Sequence, residues 1–281
     1  VLTFARVLTP VDLQAIAELE ARTVGVDGGR LKLEWGVLNA RTGRDVEDLL
    51  WWDGDQLLGF LGRYAFAPPT AELAGMVDPD ARRRGIATAL LDAALPLCRE
   101  RGYRQLLLVT PRESSPGRSF ALSRGAVLEH SEHALALLAA PTDGPANPAV
   151  TVRTATPADA SEVSRLLTTA FGTVPSKALQ LQATERFRTV LAELSGSAVG
   201  TLRLTRQGKA AGIYGFAVDP AWQGRGIGRD VLRRVCHQLR DEGVHRISLE
   251  VAVDNEHAMG LYTSLGFTPV TTEDYYALPC L

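Results

Sequence analysis

The segment Gln223-Gly224-Arg225-Gly226-Ile227-Gly228 has the residue types that point most directly to a ligand. Its glycines let the backbone turn tightly and bring N–H groups close to a bound group. Ile227, Val231, Val235 and Leu239 follow at i+4 spacing, which reads as a helix with one apolar face. A helix N-terminus offers unpaired N–H donors and a positive dipole end, so this segment suits a phosphate. Arg225 and Arg229 add local positive charge. The spacing is not the dinucleotide fingerprint, because G-x-G-x-x-G would need glycine where Arg229 stands. No Gly-Lys-Ser/Thr follows, so it is not a P-loop either. Taken alone, the segment also fits a plain glycine-rich turn that starts a helix. The 3 cysteines, Cys98, Cys236 and Cys280, have no metal spacing. His130 and His133 form H-x-x-H with no evident third ligand, so no metal is expected.

The same element occurs twice. MVDPDARRRGIATALL (76–91) returns as AVDPAWQGRGIGRDVL (217–232), an offset of 141 residues. The offset holds from Val77/Val218 through Gly85/Gly226 and Gly102/Gly243 to Gly125/Gly266. Near the N-termini RVLTPVD (6–12) matches RTATPAD (153–159) at a slightly different offset. This period is too long for a solenoid, so the chain reads as two copies of one domain. AAPTDGPANPA (139–149) has linker composition, which divides the chain into 1–145 and 146–281. The 281 residues carry 30 Lys+Arg against 32 Asp+Glu, so there is no global attraction for nucleic acid, and any anion site is local. No apolar run approaches the ~18 residues that span a bilayer. The opening VLTFARVLTP has no signal-peptide pattern, and unpaired cysteine usage fits a reduced, cytoplasmic setting.

In the second copy, 151–153 begins a strand, and Thr156-Pro157 opens a helix. A weaker helix is expected over 176–188. Strands follow at 189–194 and 198–205 around the turn SGS, then at 211–218. After the Gly-rich loop and its helix come a strand (245–253), a short helix (257–265) and two closing strands, FTPVTT and DYYAL. The class is α+β, with a mixed, largely antiparallel sheet flanked by helices in each copy.

V-x-P-x-x-[QR]-x-x-G-x-[GA] is filled by Val218, Pro220, Gln223, Gly226 and Gly228, and in the first copy by Val77, Pro79, Arg82, Gly85 and Ala87. N-x-x-A-x-x-L-Y-x-x-x-G-F is filled by Asn255, Ala258, Leu261, Tyr262, Gly266 and Phe267. Both motifs resemble those of the GCN5-related N-acetyltransferases, over essentially both halves of the chain. The resemblance implies two tandem domains of that family, each splayed between its fourth and fifth strands. It implies acetyl-CoA, or another short acyl-CoA, as acyl donor. The pantetheine arm would pair with backbone at Ala217 and Val218. The pyrophosphate would rest on Gln223, Gly224, Arg225, Gly226, Ile227 and Gly228, with Arg229 beside it. Asn255 is expected to cap the short helix and to reach the cofactor.

The stretch L-E-V-x-x-x-N-x-x-A-x-x-L-Y is similar to that of the members that acetylate ribosomal-protein N-termini. That likeness makes Glu250 the general base and Tyr262, 12 residues on, the general acid. A tyrosine hydroxyl ionises near pH ~10, so it stays able to donate, and partial burial raises a glutamate toward neutrality. The structural alternatives are a half-buried helix tyrosine and a strand glutamate facing solvent or pairing with Arg246 or His245. The strand before the second loop, AAGIYGFAV, has no acid, so the base assignment rests on Glu250. Tyr214 there reads as core or pocket, and alternation sends Tyr275 and Tyr276 to opposite faces.

At the fixed offset, Glu250, Asn255 and Tyr262 fall on Val109, Ser114 and Ala121. The first copy is therefore expected to be catalytically inactive. Pro116 and Gly117 are expected to disturb its short helix, and Pro96 to interrupt its long one. Arg82, Arg83, Arg84, Gly85, Ile86 and Ala87 nevertheless form a second candidate phosphate site. Glu72, on the strand before that loop, reads as a relic base. The expected reaction is acetyl transfer to a primary amine by direct attack, in the second copy. The acceptor is a small-molecule amine or a peptide N-terminus, with no nucleic acid or membrane partner. The tandem layout and the ending LYTSLGFTPVTTEDYYAL are also similar to the mycothiol synthase branch, which acetylates a cysteinyl amine. A non-catalytic acyl-CoA-binding module is the reading from another class.

Overall fold

The computed structural model describes residues 1–172 and 181–280. The chain forms two compact units, one of Val1–Glu132 with Thr271–Leu281, the other of His133–Val270. The units differ from a division at 145/146 in their closing strands. Residues 133–145 go with the second unit and 271–281 with the first.

The first unit runs β1 (Leu2–Ala5), α1 (Pro10–Asp27), α2 (Trp35–Leu38), β2 (Asp48–Asp53), β3 (Gln56–Ala67), β4 (Thr70–Val77), α3 (Ile86–Glu100), β5 (Gln105–Pro111), α4 (Ser115–Ser123) and the start of β6 (Val127–Leu137). β1 to β4 pair antiparallel in sequence order, and β5 joins β4 in parallel. The second unit repeats the plan. It runs β7 (Val150–Thr154), α5 (Ala160–Phe171), β8 (Phe187–Leu194), β9 (Ser197–Gln207), β10 (Ala210–Val218), α6 (Ile227–Asp241), β11 (Arg246–Ala252), α7 (Glu256–Ser264) and the start of β12 (Thr268–Pro279). β7 to β10 are antiparallel neighbours, and β11 is parallel to β10.

Local chemistry explains the helix starts. Thr9 and Asp12 form a capping box on α1, with Pro10 in the first turn, where no N–H is needed. On α6, Ile227, Val231, Val235 and Leu239 are buried against Ile247, Leu249 and Val251 of β11. One face of the first unit's sheet buries Leu73, Ile86, Leu90 and Tyr276. The other buries Ile16, Leu19, Phe60 and Met76.

Four expectations change. FTPVTT and DYYAL are one continuous strand, β12. The polar residues near the junction of the two stretches are paired inside the first unit, Glu273 with Arg30 at 2.6 Å and Asp274 with Arg112 at 2.7 Å. β12 pairs with β5 from Glu273↔Pro111 to Pro279↔Gln105. α3 runs through Pro96, which lies on the exposed side of the helix with Asp92, the residue whose carbonyl loses its N–H partner. α4 is intact because Pro116 sits in its first turn and Ser114 accepts from the Gly117 N–H at 3.3 Å. Of the helix expected over 176–188, residues 176–180 lie outside the described residues. Residues 181–186 are not helical, and Phe187 opens β8.

Candidate active site

In the second unit the site begins with a bulge. β10 pairs with β9 from Ala210↔Gln207 to Tyr214↔Arg203, then resumes at Ala217↔Thr201, so Gly215 and Phe216 together face one residue of β9. Gly215 has φ 56°, where a side chain is strained. The described pairing of β10 with β11 ends at Gly212↔Ser248. Beyond it the two strands part, and Glu250 lies on the diverging part of β11. The Asp219 N–H still donates to the Val199 carbonyl at 2.9 Å, so alternation turns the Val218 backbone away from β9, toward the opening. Gln223 Nε2 donates to the Val218 carbonyl there at 2.9 Å.

The loop after β10 is braced from one side and open on the other. Asp219 accepts from the Ala221 N–H at 3.0 Å, and Arg165 of α5 donates to Asp219 at 2.6 Å and to the Ala198 carbonyl at 2.8 Å. The Arg165 guanidinium holds the Asp219 carboxyl below the usual carboxylate range. Gln223, Gly224, Arg225 and Gly226 are exposed. Gly224 and Gly226 have φ 72° and 75°. Gly226 is the N-cap of α6, with no side chain capping it. The first-turn N–H groups are thus left for a ligand. A Cβ on Gly228 would lie 3.4 Å from Val218 and 3.5 Å from Phe216, so the helix start packs close on the end of β10. Arg225 stacks over Trp222 at 4.7 Å, and Arg229 is exposed at the rim.

Asn255 caps α7, accepting from the Ala258 N–H at 3.0 Å. Tyr262 lies on that helix, only 7% exposed, in the core cluster with Ile227, Leu249 and Val251. Its ring meets Phe267 edge-on at 6.1 Å. Burial alone pushes its hydroxyl up to about 12, so it holds its proton. Glu250 is half-buried, and alternation on β11 sends it to the face opposite Leu249 and Val251. Glu250 therefore lies on the face of β11 opposite Leu249 and Val251, whose core cluster includes Tyr262. Tyr214 is 43% exposed, immediately before the bulge.

The first unit has the frame without these groups. β4 has no bulge and pairs with β5 from Thr70↔Gln105 to Ala74↔Val109, further than β10 pairs with β11. Val109 and Ala121 are buried apolar residues. Gly85 caps α3 at φ 81°, as Gly226 caps α6. Arg83 has φ 63° and Arg84 lies 4.0 Å from Asp53. Arg82 is clamped by Asp27 at 2.8 and 2.9 Å, and Asp27 also accepts from Ser114 Oγ at 2.9 Å. Glu72 has an ammonium 3.6 Å away, that of Lys32. Lys32 also donates to Tyr275 Oη at 2.6 Å and lies 3.8 Å from Glu132, to which Tyr275 donates at 2.6 Å. His130 stacks on Tyr275 at 4.3 Å. The sequence reading missed Asp27, Lys32 and the Arg165 brace, since none lies in a motif.

A bulged strand parting from its parallel neighbour, with a glycine loop and a bare helix start behind it, is the arrangement that the resemblance to the GCN5-related N-acetyltransferases implied for an acyl-CoA site. A model of the acetyltransferase (GNAT) family matches residues 20–125 and 161–267. The chain is 29% identical to a mycothiol acetyltransferase of Thermobispora bispora, over 95% of this chain and 96% of that one. It is 31% identical to a mycothiol acetyltransferase of Kytococcus sedentarius, over 97% and 96%. Among solved structures, a GCN5-related N-acetyltransferase from Sphaerobacter thermophilus matches 100% of this chain and 95% of its own, with TM-score 0.81 at 20% identity. The chain belongs to the GNAT family, as two tandem domains, and is an acetyl-CoA-dependent N-acetyltransferase.

Proposed function

We propose that the second unit carries out the transfer and that the first does not. The observation that carries this reading is the contrast at matched positions: a half-buried Glu250 and a protonated, buried Tyr262 in one unit, and Val109 and Ala121 in the other. Acetyl-CoA supplies an activated acetyl group. Residues 223–229 hold its pyrophosphate, Ala217 and Val218 line the arm, and Asn255 fixes the start of α7. Glu250 takes the proton from the acceptor ammonium, directly or through water. The amine nitrogen forms a bond to the acetyl carbonyl carbon as the C–S bond breaks. Tyr262 gives its proton to the leaving sulfur, so amide and free thiol are the products. The nitrogen sheds its second proton as the amide forms, and that proton restores Tyr262 directly or through water, while Glu250 returns the first to solvent.

The acceptor is a small-molecule primary amine. Full-length likeness to mycothiol acetyltransferases supports a cysteinyl amine of the mycothiol-precursor type, and the LEV…LY stretch favours peptide N-termini as the second reading. Three free, buried cysteines accord with work in the reducing cytoplasm. The test is turnover across a panel of cysteinyl glycosides, aminoglycosides and N-terminal peptides, with Tyr262→Phe alongside. We expect the cysteinyl amine to be preferred and the variant to lose about 10- to 100-fold in kcat. Turnover of no amine would leave a binding module, and an unchanged kcat would remove Tyr262 from the chemistry.

A further inference from the structure

Both units contain an arginine that braces the loop after the fourth strand. In the second, Arg165 binds Asp219 and the Ala198 carbonyl. In the first, Arg22 binds Asp78 at 2.8 Å and the Leu57 carbonyl at 3.1 Å. The acceptors Leu57/Ala198 and Asp78/Asp219 stand at the same offset of 141, so the two arginines are equivalent. Five residues beyond Arg22 on the same helix is Asp27, and five beyond Arg165 is Ala170. One helix end thus presents a carboxylate where the other presents a methyl group.

The surroundings of that carboxylate match a ligand's. Asp27 makes a two-point contact with Arg82, the first residue of the first unit's glycine loop, and accepts from Ser114, the cap of the helix after β5. Arg82 follows β4 and Ser114 follows β5, so Asp27 ties together the ends of the two strands that would have to part around an acyl-CoA arm. The ion pair is largely enclosed, with the side chains of Arg82 and Asp27 21% and 9% exposed. A pyrophosphate approaching Arg82 would have to displace a bidentate carboxylate and then lie beside it, like charge against like. Among the described residues, the side chains of the counterparts Gln223 and Asn255 bind the Val218 carbonyl and the Ala258 N–H and no carboxylate.

We infer that Asp27, by holding Arg82 at the edge of the first unit's phosphate cradle and tying the end of β4 to the end of β5, keeps acyl-CoA out of that unit, so that the chain takes up one acyl-CoA, at the second unit. This rests on reading the 223–228 loop as the cofactor cradle. The test is calorimetric titration of the full chain with coenzyme A. Aspartate is used to block either loop, since it tolerates positive φ better than most residues. Wild type should bind one coenzyme per chain, Gly85→Asp should keep it and Gly226→Asp should lose it. Adding Asp27→Ala, or Asp27→Ser, to Gly226→Asp should restore one site at least about tenfold tighter than Gly226→Asp alone. That site should vanish again with Arg82→Ala. Two coenzymes on wild type, one of them lost in Gly85→Asp, would overturn the inference and leave the second-unit assignment standing. One coenzyme lost in Gly85→Asp but kept in Gly226→Asp would overturn both. Folded Asp27→Ala and Asp27→Ser forms that gain no site, as judged by an intact thermal transition, would show that Asp27 is not what keeps the coenzyme out.

Discussion

The two units share strand order, loop position and helix starts, yet the first ties its loop to a carboxylate, Asp27, at a position where the second has Ala170. In the first, Arg82 has Asp27, Lys32 has Tyr275 and Glu72, and β4 stays paired with β5 as far as Ala74↔Val109. In the second, β10 bulges at Gly215, its described pairing with β11 stops at Gly212, and burial raises the Tyr262 hydroxyl. A duplicated fold therefore separates into an internally closed copy and an open one through a few polar contacts and one extra strand residue.

The sharpest way to break this comparison is to remove proton transfer from the open copy. Glu250→Gln/Tyr262→Phe should retain only background turnover, a loss of about 10²–10⁴-fold in kcat, with no compensation by the first unit. Robust residual activity would mean that the first unit, or other residues, can run the chemistry. The pH profile carries a second check. Tyr262 is raised to about 12 from its ordinary value of 10.0, so it stays protonated through the working range. An alkaline limb should therefore be absent near pH 10 in wild type. The acidic limb should move or disappear in Glu250→Gln, because that group must lose its proton to act.

A smaller effect is expected at the brace. Arg165→Ala should raise KM for acetyl-CoA about three- to tenfold with little change in kcat, because it positions the loop without touching the acetyl group. Arg165→Lys should recover part of this. The equivalent change Arg22→Ala should leave KM where it was. Asp219 is held below the usual carboxylate range, so the pairing is kept at neutral pH and fails only as pH falls through that lowered value. A KM that responds equally to Arg22 and Arg165 would show that the first unit's loop also serves the cofactor.

How much of this the sequence disclosed follows from how local each signal is. The glycine loop, the apolar stripe of α6 and the Asn255–Tyr262 spacing are contiguous, so motif and periodicity expose them. The unequal copies were legible too, because a fixed offset sets Val109 and Ala121 against Glu250 and Tyr262. Asp27 was not, since it reaches Arg82 across 55 residues with no pattern to mark it. The Lys32–Tyr275 contact spans 243 residues. β12 was read as two strands, FTPVTT and DYYAL, and the long-range pairs that hold Glu273 and Asp274 near their junction, with Arg30 and Arg112, leave no local mark. Pro96 was read as a helix breaker without knowing that it lies on the exposed side of the helix.

The smallest effect on activity, and a distinct one on stability, is expected at Lys32. Its side chain is 8% exposed, with Glu72 at 3.6 Å and 19% exposed. Glu132 lies at 3.8 Å and is 26% exposed, and the Tyr275 ring lies 5.1 Å below the ammonium. Removing the cation leaves two carboxylates facing each other around a tyrosine that already donates to one of them. For a fully buried pair that loss costs about 3–5 kcal/mol, but the partial exposure of both carboxylates screens it, so Lys32→Met should destabilise the first unit by about 1–3 kcal/mol. Adding Glu72→Gln should return part of that, because the uncompensated charge is then gone. Denaturant unfolding of the four forms gives the coupling directly. Turnover by the second unit should stay within about twofold of wild type throughout. A Lys32→Met form as stable as wild type would show that the cluster contributes nothing to the fold. A large fall in kcat with stability intact would place Lys32 in the chemistry instead, and the contrast between a closed copy and a working one would no longer hold.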